Sequence, residues 1–228
     1  MAYLVNVSFL CSLLMFFPAC AQTNRAGIND DYKAPNMKPE DLVARFESEG
    51  REVFDLRTDI VKSLALEPGD TVADVGAGTG LFVSLLANTV GDEGKVYAVD
   101  IIPKFIAHID RRIDKEGLKQ VETIISTERS VELVEQSVDV IFTSDTYHHF
   151  VYYKDMLASI HRALKIDGEF ILVEFDISKE GIPDFMINHV GATPDEITQQ
   201  IIENDFVLVE DFTLPNMKHT FMRRFRKK

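Results

Sequence analysis

The chain has 228 residues, 46% of them hydrophobic and 27% charged, with a formal net charge of -13. That length holds one domain with a substantial core and leaves a second one cramped. The acidic balance argues against a nucleic acid partner, because phosphate binding is driven by basic surface. Cys11 and Cys20 are the two cysteines, and they supply neither a disulfide framework nor a metal cluster.

Residues 1–24 carry no charged side chain. Residues 4–17 are mostly apolar and lead into Pro18, Ala19, Cys20 and Ala21, the outline of a secretory signal peptide ending in small residues. Cleavage after Ala21 fits that outline, and so does acylation of Cys20 as in a bacterial lipoprotein. The absence of Lys or Arg before the apolar run counts against both, and an uncleaved anchor or a misassigned start stays open. The expected location is the periplasm or a membrane anchor, or the cytoplasm if the start is misassigned. Residues 1–21 are thus read as signal or anchor, 22–39 as linker, and 40–228 as the folded domain.

From Glu40, apolar positions at Leu42, Val43, Phe46, Val53, Phe54 and Leu56 predict one or two helices. Ile60, Val61, Leu64 and Leu66 continue the spacing until the turn Glu67-Pro68-Gly69-Asp70 stops it. Thr71 to Val75 reads as a buried strand, since its valines suit a sheet covered on both faces. Gly76, Gly78 and Gly80 then alternate with Ala77 and Thr79. Glycine in such a turn takes positive φ or lets a ligand approach the backbone. The helix beginning at Leu81 aims its first N–H groups at the same place.

Leu81 stands where a dinucleotide fingerprint wants its third glycine, so the pattern is G-x-G-x-G. Asp74, two residues before the turn, repels a pyrophosphate and suits a ligand bearing a cationic amino group. Lys95 to Asp100 is a second strand, and a carboxylate at its tip accepts the hydroxyls of a ribose. Pro103 opens a helix that runs to Glu116. Val121 to Ser126 is a third strand, Ser137 to Thr143 a fourth, Asp155 to Leu164 a helix, and Gly168 to Phe175 a fifth strand. Thr193 caps a helix with Pro194 in its first turn and Glu196 three after the cap. Phe206 to Leu214 and Lys218 to Arg226 are joined across Pro215-Asn216, a connection too short for a parallel crossover, so this pair is antiparallel.

Residues 73–80, Val99-Asp100, residues 137–142 and residues 164–173 fall in the order of the motifs of the class I S-adenosylmethionine-dependent methyltransferases, and the chain from about Glu40 onward resembles that family. The resemblance implies an α/β fold: a doubly wound, seven-stranded, mostly parallel sheet with one antiparallel strand. It implies S-adenosylmethionine as cofactor, held by Asp74, Gly76, Ala77, Gly78, Thr79 and Gly80 at the turn and by Asp100 and Ile101 at the second strand. Thr127 or Glu128 would lie near the adenine amino nitrogen, and Ser144 at the exit of the fourth strand. The N-terminal helices would cover the cofactor, bringing Arg51, Glu52 and Arg57 within reach of its carboxylate or of the substrate. Glu174, Asp176 and the segment to Ile187 would line the substrate side.

At the fourth strand's exit, His148 and His149 are candidates for a general base, with an unperturbed pKa near neutrality. A zinc pair is the competing reading, and it lacks further nearby ligands, so no metal is expected. The structural alternative has both rings capping strand ends or packed over the cofactor. Ser144-Asp145-Thr146-Tyr147 departs from the Asn/Asp-Pro-Pro-Tyr/Phe motif of many amino-group methylators. A small-molecule substrate with an oxygen, carbon, sulfur or metalloid acceptor is therefore favoured over nitrogen, with no bearing on oligomeric state. The alternatives are an exported, non-catalytic binding module that keeps the fold and, with Leu81 against it, an NAD-dependent oxidoreductase. The basic tail from Arg223 to Lys228 reads as a solvated chain end, with an anionic membrane or substrate as its other reading.

Overall fold

The computed structural model describes residues 25–212 and 214–228. The signal, lipoprotein and anchor readings fall on residues 1–24 and lie outside them. Among the described residues no helix is long and apolar enough to cross a membrane.

The described residues open with four short helices, α1 (Asp30–Lys33), α2 (Pro39–Phe46), α3 (Glu52–Asp55) and α4 (Arg57–Ser63). Strand β1 (Thr71–Val75) leads through the glycine turn to α5 (Val83–Val90). Then come β2 (Lys95–Asp100), α6 (Pro103–Glu116), β3 (Val121–Ile125) and β4 (Val138–Ser144). A single 3₁₀ turn, Tyr147–His149, separates β4 from α7 (Tyr153–Ala163). Strand β5 (Leu164–Phe175), α8 (Asp184–Val190), α9 (Pro194–Ile202), β6 (Phe206–Phe212) and β7 (Thr220–Lys227) complete the chain.

The sheet has seven strands in the order β3-β2-β1-β4-β5-β7-β6. Strands β1 to β5 pair in parallel, and β7 runs antiparallel to both β5 and β6. One strand is therefore reversed, as the short Pro215-Asn216 connection requires. The order doubles back beside β1, so the loops leaving β1 and β4 part to opposite faces. That switch point is where doubly wound sheets open a ligand crevice.

Side-chain alternation along the strands divides the interior into two layers. Val72, Phe142, Ile171 and Met222 pack with α4 and α5 on one face. Ala73, Ile141, Phe170 and Phe225 pack with α7 and α9 on the other. Phe142, Phe170 and Phe225 are fully buried, each contributing on the order of 1.5–3 kcal/mol through apolar burial. Such a two-sided core fixes where the strand tips lie, and the site sits on those tips.

Several boundaries lie a residue or two from expectation, as with α5 starting at Val83, α7 at Tyr153 and β7 at Thr220, and two differences are larger. Strand β5 begins at Leu164, because the chain leaves α7 directly into an extended stretch that pairs with Val138 of β4. Residues 25–39, read from sequence as linker, include α1 and bury Asn29. The Thr193 capping box forms as expected, with the Glu196 N–H donating to Thr193 Oγ1 and the Thr193 N–H donating to Glu196.

Candidate active site

The exits of β1, β2 and β4 meet at a cavity of about 650 Å³, roofed by α1 to α3 and by α8. A volume in that range is typical of a small-molecule or cofactor pocket.

The glycine turn owes its shape to close approaches. Gly76 has φ +80°, and a Cβ there would stand 2.1 Å from Thr146 Cγ2, in the loop leaving β4. Gly80 has φ +84°, and a Cβ there would stand 3.1 Å from Ile109 Cγ1 of α6. Gly78 has φ +54° with nothing but a carbonyl oxygen 3.9 Å from a Cβ built on it, so a side chain there would project into open space. Gly76 and Gly80 thus let protein pack against protein, and Gly78 leaves room for a ligand.

Asp100 closes the turn from the side. Its Oδ2 accepts the Gly78 N–H at 2.9 Å and its Oδ1 accepts the Ile102 N–H at 2.8 Å. Each carboxylate oxygen keeps a second lone pair for a ligand hydroxyl. Burial pushes Asp100 up to about 6, against the lowering effect of those backbone donors. Asp74 is pushed up to about 7, first by burial and then by the Asp100 charge. Its Oδ2 is buried without a hydrogen-bond partner, as is Ser144 Oγ at the end of β4. Buried polar atoms left unmet are uncommon, and they mark where a ligand donor belongs. A cationic group brought to Asp74 would relieve both its burial and its repulsion from Asp100.

Most residues singled out in the sequence line this cavity: Asp74, Gly76, Ala77, Gly78, Thr79, Asp100, Ile101, Glu128, Ser144, His148 and His149. Gly80 and Thr127 are not among its lining residues. Gly80 packs on α6, and Thr127 turns away to bond Ser130 through its backbone. Glu128 reaches the rim and pairs with Lys33 of α1. Ser126, two residues before Glu128, also lines the cavity.

Of the N-terminal charges, Arg51 lines the cavity and pairs with Asp145, whose backbone has φ +48°. Glu52 instead accepts backbone N–H groups from Lys218, His219 and Thr220, tying α3 to the start of β7. Arg57 lies over the Phe54 ring at 4.0 Å. At the end of β5 and beyond it the cavity is lined by Phe175, Met186 and His189. Asp176 pairs with Lys179 and bonds the Ser178 turn. Glu174 sits beneath, fully buried, against His148.

The histidine pair is not freely titrating. His148 Nδ1 lies 2.8 Å from Glu174 Oε2, and His149 Nδ1 lies 2.9 Å from Asn29 Oδ1. Burial pushes His148 down to about 3, with Arg25 adding to the shift. Burial, His148, His189 and Arg25 push His149 down to about 2. Both rings are neutral near pH 7, and such depressed values make each a weak base for the general-base role. His189, from α8, brings Nε2 within 3.2 Å of His148 Nε2. The sequence reading lacked this third ring because it lies forty-one positions away from His148. Asn29 and Tyr32 reach the site the same way, across the fold, whereas Glu174 stands near the substrate side where the sequence put it, buried beneath His148.

A switch-point crevice with a glycine turn and an acidic second strand defines a nucleotide-type ligand site on a doubly wound α/β scaffold. The chain belongs to the methyltransferase domain family, whose model matches residues 66–223. It is similar to the demethylmenaquinone methyltransferase of Bacillus mycoides (strain KBAB4), 26% identical over 118 residues, covering 52% of this chain and 50% of the relative. It is also similar to the arsenite methyltransferase of Halobacterium salinarum (strain ATCC 700922 / JCM 11081 / NRC-1), 25% identical over 134 residues, covering 59% and 33%. The chain thus spans about half the length of the first relative and a third of the second. Among solved structures, a SAM dependent methyltransferase from Aquifex aeolicus superposes with a TM-score of 0.72 at 24% identity, over 83% of this chain and 98% of the other. That likeness is one of fold.

Proposed function

We propose that the protein is an S-adenosylmethionine-dependent methyltransferase acting on a small molecule. The observation that carries the reading is the pair of buried acids at the tips of β1 and β2, one with an unmet oxygen. Asp74 fits the cationic amino group of the cofactor's methionine end, and Asp100 fits a ribose diol. Gly78 gives the backbone approach that a side chain would block. These features suit S-adenosylmethionine better than a pyrophosphate, which two acids would repel.

S-adenosylmethionine supplies a methyl carbon already activated by a positive sulfur, so the chain's task is positioning and exclusion of water. The roof formed by α1 to α3, with Tyr32, Phe46 and Arg51, covers the strand tips. The acceptor would enter between that roof and α8, beside His148, His149 and Phe175. The relatives named above act, by their names, on demethylmenaquinone and on arsenite, and an oxygen, carbon, sulfur or metalloid acceptor is the favoured class. Attachment to a membrane through the N-terminus, and export, remain proposals about residues 1–24.

Isothermal titration of the full chain with S-adenosylmethionine and with NAD tests the reading. Binding of the first alone supports it. Binding of NAD alone, or of neither, removes it and favours a dehydrogenase or a module that keeps only the fold.

A further inference from the structure

We propose that His148, His149 and His189 form a binding site for one divalent first-row transition-metal ion of the Zn²⁺ class. The three side chains come from the turn after β4 and from α8, and one ligand-capable nitrogen from each lies within 4.8 Å of the others. The rings converge, with centroid separations of 4.3 Å (His148–His149), 4.8 Å (His148–His189) and 5.3 Å (His149–His189).

For His148 and His149 the outer contacts are those a metal-binding histidine needs. A ligating imidazole donates its other N–H to a carboxylate or carbonyl, which fixes tautomer and orientation. His148 Nδ1 meets the buried Glu174 carboxylate at 2.8 Å, and His149 Nδ1 meets the Asn29 side-chain oxygen at 2.9 Å. Both Nδ1 atoms being engaged, each Nε2 is left as the lone-pair atom. The Nε2 atoms of His148 and His189 stand 3.2 Å apart. Two nitrogens on one tetrahedral zinc, with bonds of about 2.0–2.1 Å, stand about 3.3–3.4 Å apart. One edge of the coordination figure is therefore already formed, and the longer edges close by small ring movements.

All-imidazole ligation suits zinc, copper, nickel and iron rather than magnesium or calcium. The charges around the cluster are Glu174 and Asp145 on the acidic side and Arg25, Arg45 and Arg51 on the basic side. Arg25 is held on the backbone carbonyls of His189 and Val190, and Arg51 on Asp145. Three protein ligands leave a further coordination position, and all three rings line the cavity. Resting on the methyltransferase reading, that open position would take a donor atom of the methyl acceptor and orient it. Metal binding itself does not depend on that reading.

The competing arrangement is three neutral imidazoles, with His189 donating to His148. Titration of chelator-stripped full-length protein with Zn²⁺ by calorimetry, and with Co²⁺ by visible absorption, separates the two. Expected are one equivalent bound and the intense absorption of four- or five-coordinate Co²⁺. His189→Gln should abolish both, Glu174→Gln and Asn29→Ala should weaken binding by about 10–100-fold, and His219→Gln, outside the cluster, should change nothing. His189→Gln and Asn29→Ala alter residues outside the sheet core, so they report even if the Glu174 variant does not fold. No binding by the wild type, or a Co²⁺ spectrum indifferent to His189→Gln, overturns the site. S-adenosylmethionine titrated in parallel shows whether the proposed function stands when the metal site falls.

Discussion

The backbone N–H of Gly78 donates to Asp100 Oδ2 at 2.9 Å, so the acid at the tip of β2 holds the shape of the turn that follows β1. One side chain thereby sets the turn and faces the cavity. Asp100→Ala should weaken S-adenosylmethionine binding by roughly 1–3 kcal/mol, the usual consequence of leaving buried partners unmet. Calorimetry reads it directly, and an unchanged dissociation constant would remove the ribose assignment.

Asp74 gives a prediction with a pH signature. Its pKa is raised from 3.8 to about 7, so its contribution to stability is full below the unfolded value and is lost as pH rises through the folded one. Asp74→Asn removes that loss. The variant without ligand should be more stable than the wild type at pH 8, by roughly 1–4 kcal/mol. The difference should vanish near pH 4, while S-adenosylmethionine binding weakens. Denaturant unfolding at both pH values checks it, and equal stability at pH 8 would show that Asp74 is not buried as described.

Gly76→Ala places a methyl group against Thr146 and forces an L side chain to φ +80°. A stability loss of about 1–3 kcal/mol follows from the backbone conformation alone, with more from the overlap. Adding Thr146→Gly should recover the overlap and not the backbone share. A fully neutral Gly76→Ala variant would contradict the packing of the β1 and β4 exits.

Glu52 accepts three backbone N–H groups and the Thr220 hydroxyl at the start of β7. Glu52→Ala should lower stability by about 1–3 kcal/mol and leave cofactor affinity nearly unchanged, because Glu52 does not line the cavity. A large loss of binding without loss of stability would place Glu52 in the site instead.

What was legible in the sequence was what is local. Strand β2 and helix α6 match their predicted spans, because alternating valines, the glycine turns and Pro103 act over a few residues. The reversed strand β7 follows from the shortness of its connection. The cavity floor was equally readable, since Asp74, Gly78 and Asp100 lie on strand tips that the sheet order brings together. The roof was not. Asn29 and Tyr32 sit in a polar stretch with no periodicity, and their place depends on packing against His149 and Phe105. His189 had no signal beyond its residue type, because only the fold sets α8 beside the turn after β4.

The proposed function requires one cofactor in the crevice above β1 and β2. The most direct test is the S-adenosylmethionine titration of the wild type beside Asp74→Asn and Asp100→Ala. A single wild-type site, weakened in both variants, is the predicted result. No binding by a folded wild-type chain, or affinities that ignore both acids, would contradict it.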